Sequence, residues 1–320
     1  MTPSTRRDFL KLFAVTSTCA VCGGVHANRL AYDLAATEIA SGTWVVHGNT
    51  EYFTLENGGN IVNVAFVEVP DGVVVIDTGP SKRYGEALTA LIEKTLPGKQ
   101  ILRVYNTHHH PDHYLGNQVF DNSVVATSQG VIDNIVAEGD GFTDNMYRLV
   151  GDWMRGTAST APAVALEADA EDIGGRQFSL SYLNGHTSAD LVIRDDETGV
   201  VFTGDLAFLD RAPTTPHADI YAWQLALQQL GQMDRELLLP GHGRIDPSSE
   251  SLRQTSDYLD WLSGTIKQAA SQGYTMNEAM SRSIPARFSS LDVVDTEYKR
   301  SVVHLYLQME DDLMPLIEPK

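Results

Sequence analysis

The chain has 320 residues, 42% of them hydrophobic, with 23 basic and 42 acidic side chains and a formal net charge of −19. That length supports a packed core in one large domain or two small ones, and the ordinary apolar content excludes wholesale disorder. The acidic balance argues against DNA, RNA or an anionic membrane surface as the main partner, and no apolar run reaches the roughly 18 residues of a membrane span.

The N-terminus reads STRRDFLK from Ser4 to Lys11, followed by a mildly apolar stretch from Leu12 to Val25. Paired Arg6 and Arg7 before such a stretch resemble a twin-arginine export signal, with cleavage expected after Val25-His26-Ala27 and a periplasmic destination. Residues 1–27 carry Arg6, Arg7 and Lys11 against Asp8, net +2, so the remaining 293 residues would carry −21. Both cysteines, Cys19 and Cys22, leave with the signal, and the mature chain then has no disulfide. That export route carries folded proteins, which points to a cofactor loaded before export.

From Thr43 to Pro247 strands dominate. The alternation of apolar residues predicts strands over Trp44–His47, Ile61–Val69, Val73–Ile76, Ile101–Asn106 and Val124–Thr127. Further strands are predicted over Val164–Glu167, Gln177–Leu183, Leu191–Arg194, Val200–Thr203 and Leu237–Leu239. Helical spacing marks Lys82–Thr95, Gln129–Val136, Thr143–Arg155 and Asp219–Leu230. Beyond Pro247 the strands stop, and Ser249–Ser271, Met276–Ser283 and Val294–Leu316 read as helices. Two strand-rich halves, each closed by helices, predict an α/β fold of four layers, an αββα sandwich over 28–247. Residues 248–320 form a helical extension packed on it, either covering the site or making a dimer contact.

Asn106-Thr107-His108-His109-His110-Pro111-Asp112-His113 follows a predicted strand, which puts His108, His110, Asp112 and His113 just beyond its carboxyl end. Imidazoles and a carboxylate are the ligand set that zinc prefers. His108 and His110, two apart, can point one way while Asp112 and His113 turn toward a second ion. Gly185-His186-Thr187, Phe202-Thr203-Gly204-Asp205 and Pro240-Gly241-His242-Gly243 each place one further ligand beside glycine at a strand end.

Together with HHHPDH, these resemble the metallo-β-lactamase fold superfamily, in order from Val45 to Gly243. The resemblance implies a two-metal site: His108, His110 and His186 on the first ion, Asp112, His113 and His242 on the second, and Asp205 bridging both. It also implies that Asp77, in Val75-Ile76-Asp77-Thr78-Gly79, supports the ligand loop from behind. Histidine at 110, where the oxygen-reducing di-iron relatives carry glutamate, favours a hydrolytic centre with two zinc ions over iron. A hydroxide bridging the metals would attack a carbonyl or other ester centre, with Asp112 orienting it. Asp205 is typical of thioesterases, lactonases and persulfide dioxygenases of the superfamily rather than of true β-lactamases.

The implied function is therefore an exported dinuclear zinc hydrolase acting on a small ester, thioester or lactone. The alternatives are a periplasmic β-lactam hydrolase, a mononuclear iron persulfide dioxygenase using His108, His186 and Asp205, and a metal-holding accessory factor that docks to a periplasmic redox partner. The stretch Gly204 to His217, with Asn57-Gly58-Gly59-Asn60, is similar to exported zinc hydrolases of quinoprotein and sulfur-oxidation systems, the SoxH-like group. Arg211 either meets an anionic substrate group or is a surface arginine in a loop. His217 either lines the substrate cleft or packs at a helix N-terminus. His109, at the variable position of the motif, is expected to face solvent, and His47 and His304 to be structural or surface residues.

Overall fold

Two sheets pack face to face in a computed structural model that describes residues 30–311. The expected signal, with Cys19, Cys22 and His26, lies outside those residues, as does the end of the last predicted helix. The first sheet runs in sequence order: β1 (Ala36–Ala40), β2 (Thr43–Val46), β3 (Val64–Val69), β4 (Gly72–Ile76), β5 (Ile101–Tyr105), β6 (Val125–Ser128) and β7 (Val164–Leu166). Pairing is antiparallel from β1 to β4 and parallel from β4 to β7. The second sheet comprises β8 (Ala170–Ile173), β9 (Arg176–Leu183), β10 (Asp190–Asp195), β11 (Val200–Phe208) and β12 (Leu237–His242). Its strands are antiparallel except for the parallel pair β11 and β12. The helices are α1 (Lys82–Thr95), α2 (Pro111–Tyr114), α3 (Gln129–Val150), α4 (Ile220–Gln232), α5 (Glu250–Ser271), α6 (Met276–Met280) and α7 (Val294–Asp311).

The period of two along each strand assigns the layers. Ala65, Val67, Val74 and Ile76 point between the sheets, where they meet Phe178, Leu180, Leu191, Ile193 and Phe202. Their neighbours Val64, Phe66, Val73 and Val75 face outward onto Tyr84, Leu88 and Ile92 of α1. Val192 and Val201 face the other way, onto Trp223, Leu227 and Leu230 of α4 and Leu252 and Leu259 of α5. Both faces of the central strands are thus covered, which is why every residue of β4 is buried. The result is the expected αββα sandwich. The opposite side of α5 (Tyr258, Leu262, Ile266) joins Phe288 and the α7 residues Tyr298, Val302 and Leu305 in a separate apolar cluster. The Ala212 amide donates to the Asp292 carbonyl at 3.1 Å, tying the loop after β11 to the start of α7.

Departures from the sequence pattern have local causes. Strands β1 and β8, ATEIA and AEDI, were not predicted because they are short edge strands of mixed polarity, as edges commonly are. The two helices predicted at 129–136 and 143–155 are one. Val131, Ile135, Gly139, Met146 and Val150 form an unbroken buried stripe, and its packing overrides the glycine penalty of about 1 kcal/mol. Strands β11 and β12 run past their predicted ends, through Gly204-Asp205 and Pro240-Gly241-His242.

Candidate metal centre

The predicted site residues lie at the carboxyl ends of β4, β5, β9, β11 and β12, on one rim of the sandwich. After β5 the chain loops through Asn106–His110 and enters α2 with Pro111 in its first turn. Asp77, one residue past β4, has left-handed backbone (φ 61). Its carboxylate accepts the Thr107 amide at 2.8 Å and the Thr107 hydroxyl at 2.9 Å, and lies 2.7 Å from His113 Nδ1. One side chain therefore fixes the loop's backbone, a hydroxyl and an imidazole together.

Two groups of ligand atoms converge beyond it, each within 4.8 Å: His108, His110, His186 and Asp205, and beside them Asp112, His113 and His242. All seven side chains are buried. His110 Nδ1 is 2.8 Å from His186 Nε2, and His242 Nε2 is 3.3 Å from Asp112. The Asp205 carboxylate spans the groups, with Oδ2 3.9 Å from His108 Nε2 and 3.4 Å from His186 Nε2, and Oδ1 3.2 Å from His113 Nε2. His242 is oriented from the loop before β3 by the Ile61 carbonyl, 2.7 Å from its Nδ1. Asp205 reaches inward because the β11–β12 register shifts at Gly204, where φ is 51. Gly241 makes room for it, since a Cβ there would stand 2.0 Å from Asp205 Oδ1.

These residues fit a divalent cation on their chemistry. His108 Nε2, His113 Nε2 and Asp205 Oδ1 are buried without a hydrogen-bond partner, a cost of about 1–3 kcal/mol each that a cation would remove. Burial disfavours charge on His113, yet the carboxylates of Asp205, Asp77 and Asp112 outweigh it and hold its pKa well above the ordinary value. Burial likewise opposes ionisation of Asp205, but His242 and His113 hold its carboxyl well below the usual range. Burial pushes His108 and His110 well below the ordinary imidazole value and His186 down to about 3, with neighbouring imidazoles adding to the effect. His108, His110 and His186 are thus neutral and the carboxylates ionised, the states that bind metal, while His113 and His242, where burial is outweighed by neighbouring carboxylates that raise the pKa, hold a proton that a cation would displace.

His109 does not face solvent as expected. It is buried, with its pKa pushed down to about 4 first by burial and then by His217. The histidine loop turns inward against α3, so the variable position is enclosed with the rest. His217 lines the cleft above the cluster, its Nδ1 2.8 Å from His110 Nε2 and its Nε2 3.4 Å from Glu138 of α3. Arg211 also lines the cleft and is 2% exposed, so it is not a surface arginine. His47 and His304 are exposed. Glu138, Phe142 and Arg300 were missed, and only the amphipathic face of their helices carried any sign of them.

An αββα sandwich with a histidine–aspartate cluster between its sheet ends defines the metallo-β-lactamase class of folds. Residues 57–242 match the metallo-beta-lactamase superfamily, and the chain belongs to it. It is 25% identical over 227 residues to the acyl-coenzyme A thioesterase MBLAC2 of Homo sapiens, covering 63% of this chain and 80% of that one. It is 21% identical over 288 residues to a linear primary-alkylsulfatase of Pseudomonas sp. (strain ATCC 19151), covering 76% of this chain but only 54% of the sulfatase. Among solved structures, a metallo-beta-lactamase from Pontibacter korlensis superposes with a TM-score of 0.57 at 24% identity, covering 71% of this chain and 99% of that one. The sec-alkylsulfatase Pisa1 from Pseudomonas sp. superposes with a TM-score of 0.64 at 18% identity, covering 89% and 52%. Among the described residues no helix is long and apolar enough to cross a membrane.

Proposed function

We propose that the chain is a dinuclear zinc hydrolase of small esters or thioesters, exported to the periplasm by the twin-arginine route. The observation that carries this reading is the Asp205 carboxylate, which reaches both ligand groups: its Oδ2 lies 3.4 Å from His186 and 3.3 Å from His242, and its Oδ1 3.2 Å from His113. In this reading His108, His110 and His186 hold one ion, Asp112, His113 and His242 the other, and Asp205 both. Two bound zinc ions supply Lewis acidity and a water-derived nucleophile at neutral pH. The chain's own residues do the rest. Asp77 keeps the proton of His113 on Nδ1, which leaves Nε2 free to ligate. Asp112, buried beside His242, would orient the attacking water. His217 and Phe142 flank the cleft. The thioesterase and sulfatase relatives support acyl and ester substrates.

The test is elemental mass spectrometry on protein purified without chelator, followed by a panel of esters, thioesters and lactones. Two zinc ions per chain and turnover that Asp205→Ala and His110→Ala abolish, in variants that still fold, are expected. One iron and oxygen uptake on a persulfide, full activity in either variant with metal content unchanged, or a chromogenic cephalosporin as the best substrate would refute it.

A further inference from the structure

The cleft over the metal cluster has a volume of about 80 Å³ and opens to solvent. Tyr52, Phe53 and Phe142 give it aromatic walls, and two guanidinium groups, Arg211 and Arg300, stand in the same lining. Arg300 comes from α7, far along the chain from every metal-ligating motif. It lies over the Tyr52 ring at 5.2 Å, and its Nη1 donates to both oxygens of Glu297, at 2.9 Å each. Glu297 is fully buried and is also the carboxylate nearest Arg211, 3.6 Å from its Nη2. The remaining Arg211 contacts are long: 3.5 Å to the Glu51 carbonyl, 3.4 Å to the Ala212 carbonyl and 3.4 Å to the Thr214 hydroxyl.

One carboxylate therefore serves two guanidinium groups, and Arg211, which also packs over the Phe208 ring at 5.8 Å, pairs with it only at 3.6 Å. This occurs in a protein whose formal net charge is −19. A buried guanidinium whose donors are all at the limit of hydrogen-bond distance is under-satisfied, and a planar or tetrahedral oxyanion is the group its fork fits. Nothing in the metal chemistry requires these arginines, since neither belongs to the two ligand groups.

We propose that Arg211 and Arg300 together bind an oxyanion carried by the substrate, so that the preferred substrates are esters or thioesters with an anionic terminus. The aromatic walls take the apolar chain between that terminus and the scissile bond. This rests on the hydrolase reading above and gives α7 a function in it: the helix completes the substrate site. Position 300 sets specificity and the metal cluster sets chemistry.

The experiment compares two matched substrates of the zinc-loaded protein, mono-4-nitrophenyl adipate and 4-nitrophenyl hexanoate, which differ only in a terminal carboxylate. The expected result is a higher kcat/KM for the adipate ester, with the preference shrinking as salt is added. Arg300→Gln reduces the adipate-to-hexanoate ratio by about 10- to 100-fold, chiefly through KM, and Arg300→Lys restores part of it. A wild-type ratio of one or less, or an Arg300→Gln ratio equal to wild type, overturns the proposal. Calorimetric binding of adipic acid monoamide and hexanamide, which again differ only in the terminal carboxylate, reads the same anchor without turnover. Monoamide binding no tighter than hexanamide also overturns it, even if neither ester is hydrolysed, an outcome that would count separately against the hydrolase reading. If Arg300→Gln melts below the assay temperature, the wild-type pair and Arg300→Lys still decide.

Discussion

Replacing Asp77 by asparagine changes one proton and almost no volume, and asparagine tolerates the left-handed backbone found there (φ 61). The amide oxygen of the variant can still accept from the Thr107 amide, now 2.8 Å from Oδ1. The other end becomes an NH₂ group 2.7 Å from His113 Nδ1, where two donors cannot meet. His113 must then carry its proton on Nε2, the nitrogen that faces Asp205 at 3.2 Å, and can no longer ligate without changing tautomer. Losing one hydrogen bond to a charged group costs about 1.5–3 kcal/mol, and at about 1.4 kcal/mol per decade that is roughly a 10- to 100-fold loss of metal affinity. The loss is confined to the group of Asp112, His113 and His242. Competition against a chromogenic chelator, fitted to two binding constants, reads this directly. One constant should fall and the other hold. A folded variant with both constants unchanged, or with both weakened equally, would refute the tautomer argument.

Gly241→Ala places a methyl 2.0 Å from Asp205 Oδ1 and 2.8 Å from the Gly204 backbone, so turnover should drop at least about 100-fold while stability falls by about 1–3 kcal/mol. Steady-state kinetics beside a urea melt checks this, and retained activity would show that Asp205 has freedom the structure denies it. Arg176 and Asp195 form a buried pair where β9 begins and β10 ends, with Arg176 Nε 2.8 Å from Asp195 Oδ1 and Nη1 3.0 Å from the Glu68 carbonyl of the first sheet. Arg176→Met strands the Asp195 carboxylate and is expected to cost about 3–5 kcal/mol in urea unfolding, whereas Arg176→Met with Asp195→Leu recovers most of that. Burial pushes the Asp195 carboxyl up, but hydrogen bonds from Arg176 and Thr198 outweigh it and hold the pKa below the ordinary 3.8. The pair's contribution is thus present above that pH and is lost as pH falls through the lowered value. The double variant should lack this acid-sensitive component, and an unchanged acid profile would remove Asp195 from the account.

The metal cluster was legible because its ligands sit in short motifs at strand ends, and strand ends follow from apolar alternation. Asp205 and His242 reach the cluster although β11 and β12 continue through them, because a bulge there leaves the apolar pattern before it unbroken. Edge strands β1 and β8 were illegible for the opposite reason: half-exposed, they carry little apolar signal. His109 was misjudged because motif spacing says which positions alternate but not what packs on the loop, and α3 closes over it. Arg300 was beyond reach. Its significance depends on Glu297 and on Arg211, 86 residues before Glu297 in the loop after β11, a contact that only the folded chain makes.

The Ile61 carbonyl that orients His242 belongs to the first half of the chain, and the imidazole it orients is made last among the cluster's residues. A ribosome releases His108, His110, Asp112 and His113 as one flexible patch well before β12 exists. Such a patch has donors but no enforced geometry, and it ranks divalent ions by intrinsic affinity, copper ahead of zinc. The cluster takes a fixed arrangement only once β12 docks and its histidine is aimed from the loop before β3. A site completed so late along the chain has its geometry only in the fully folded protein.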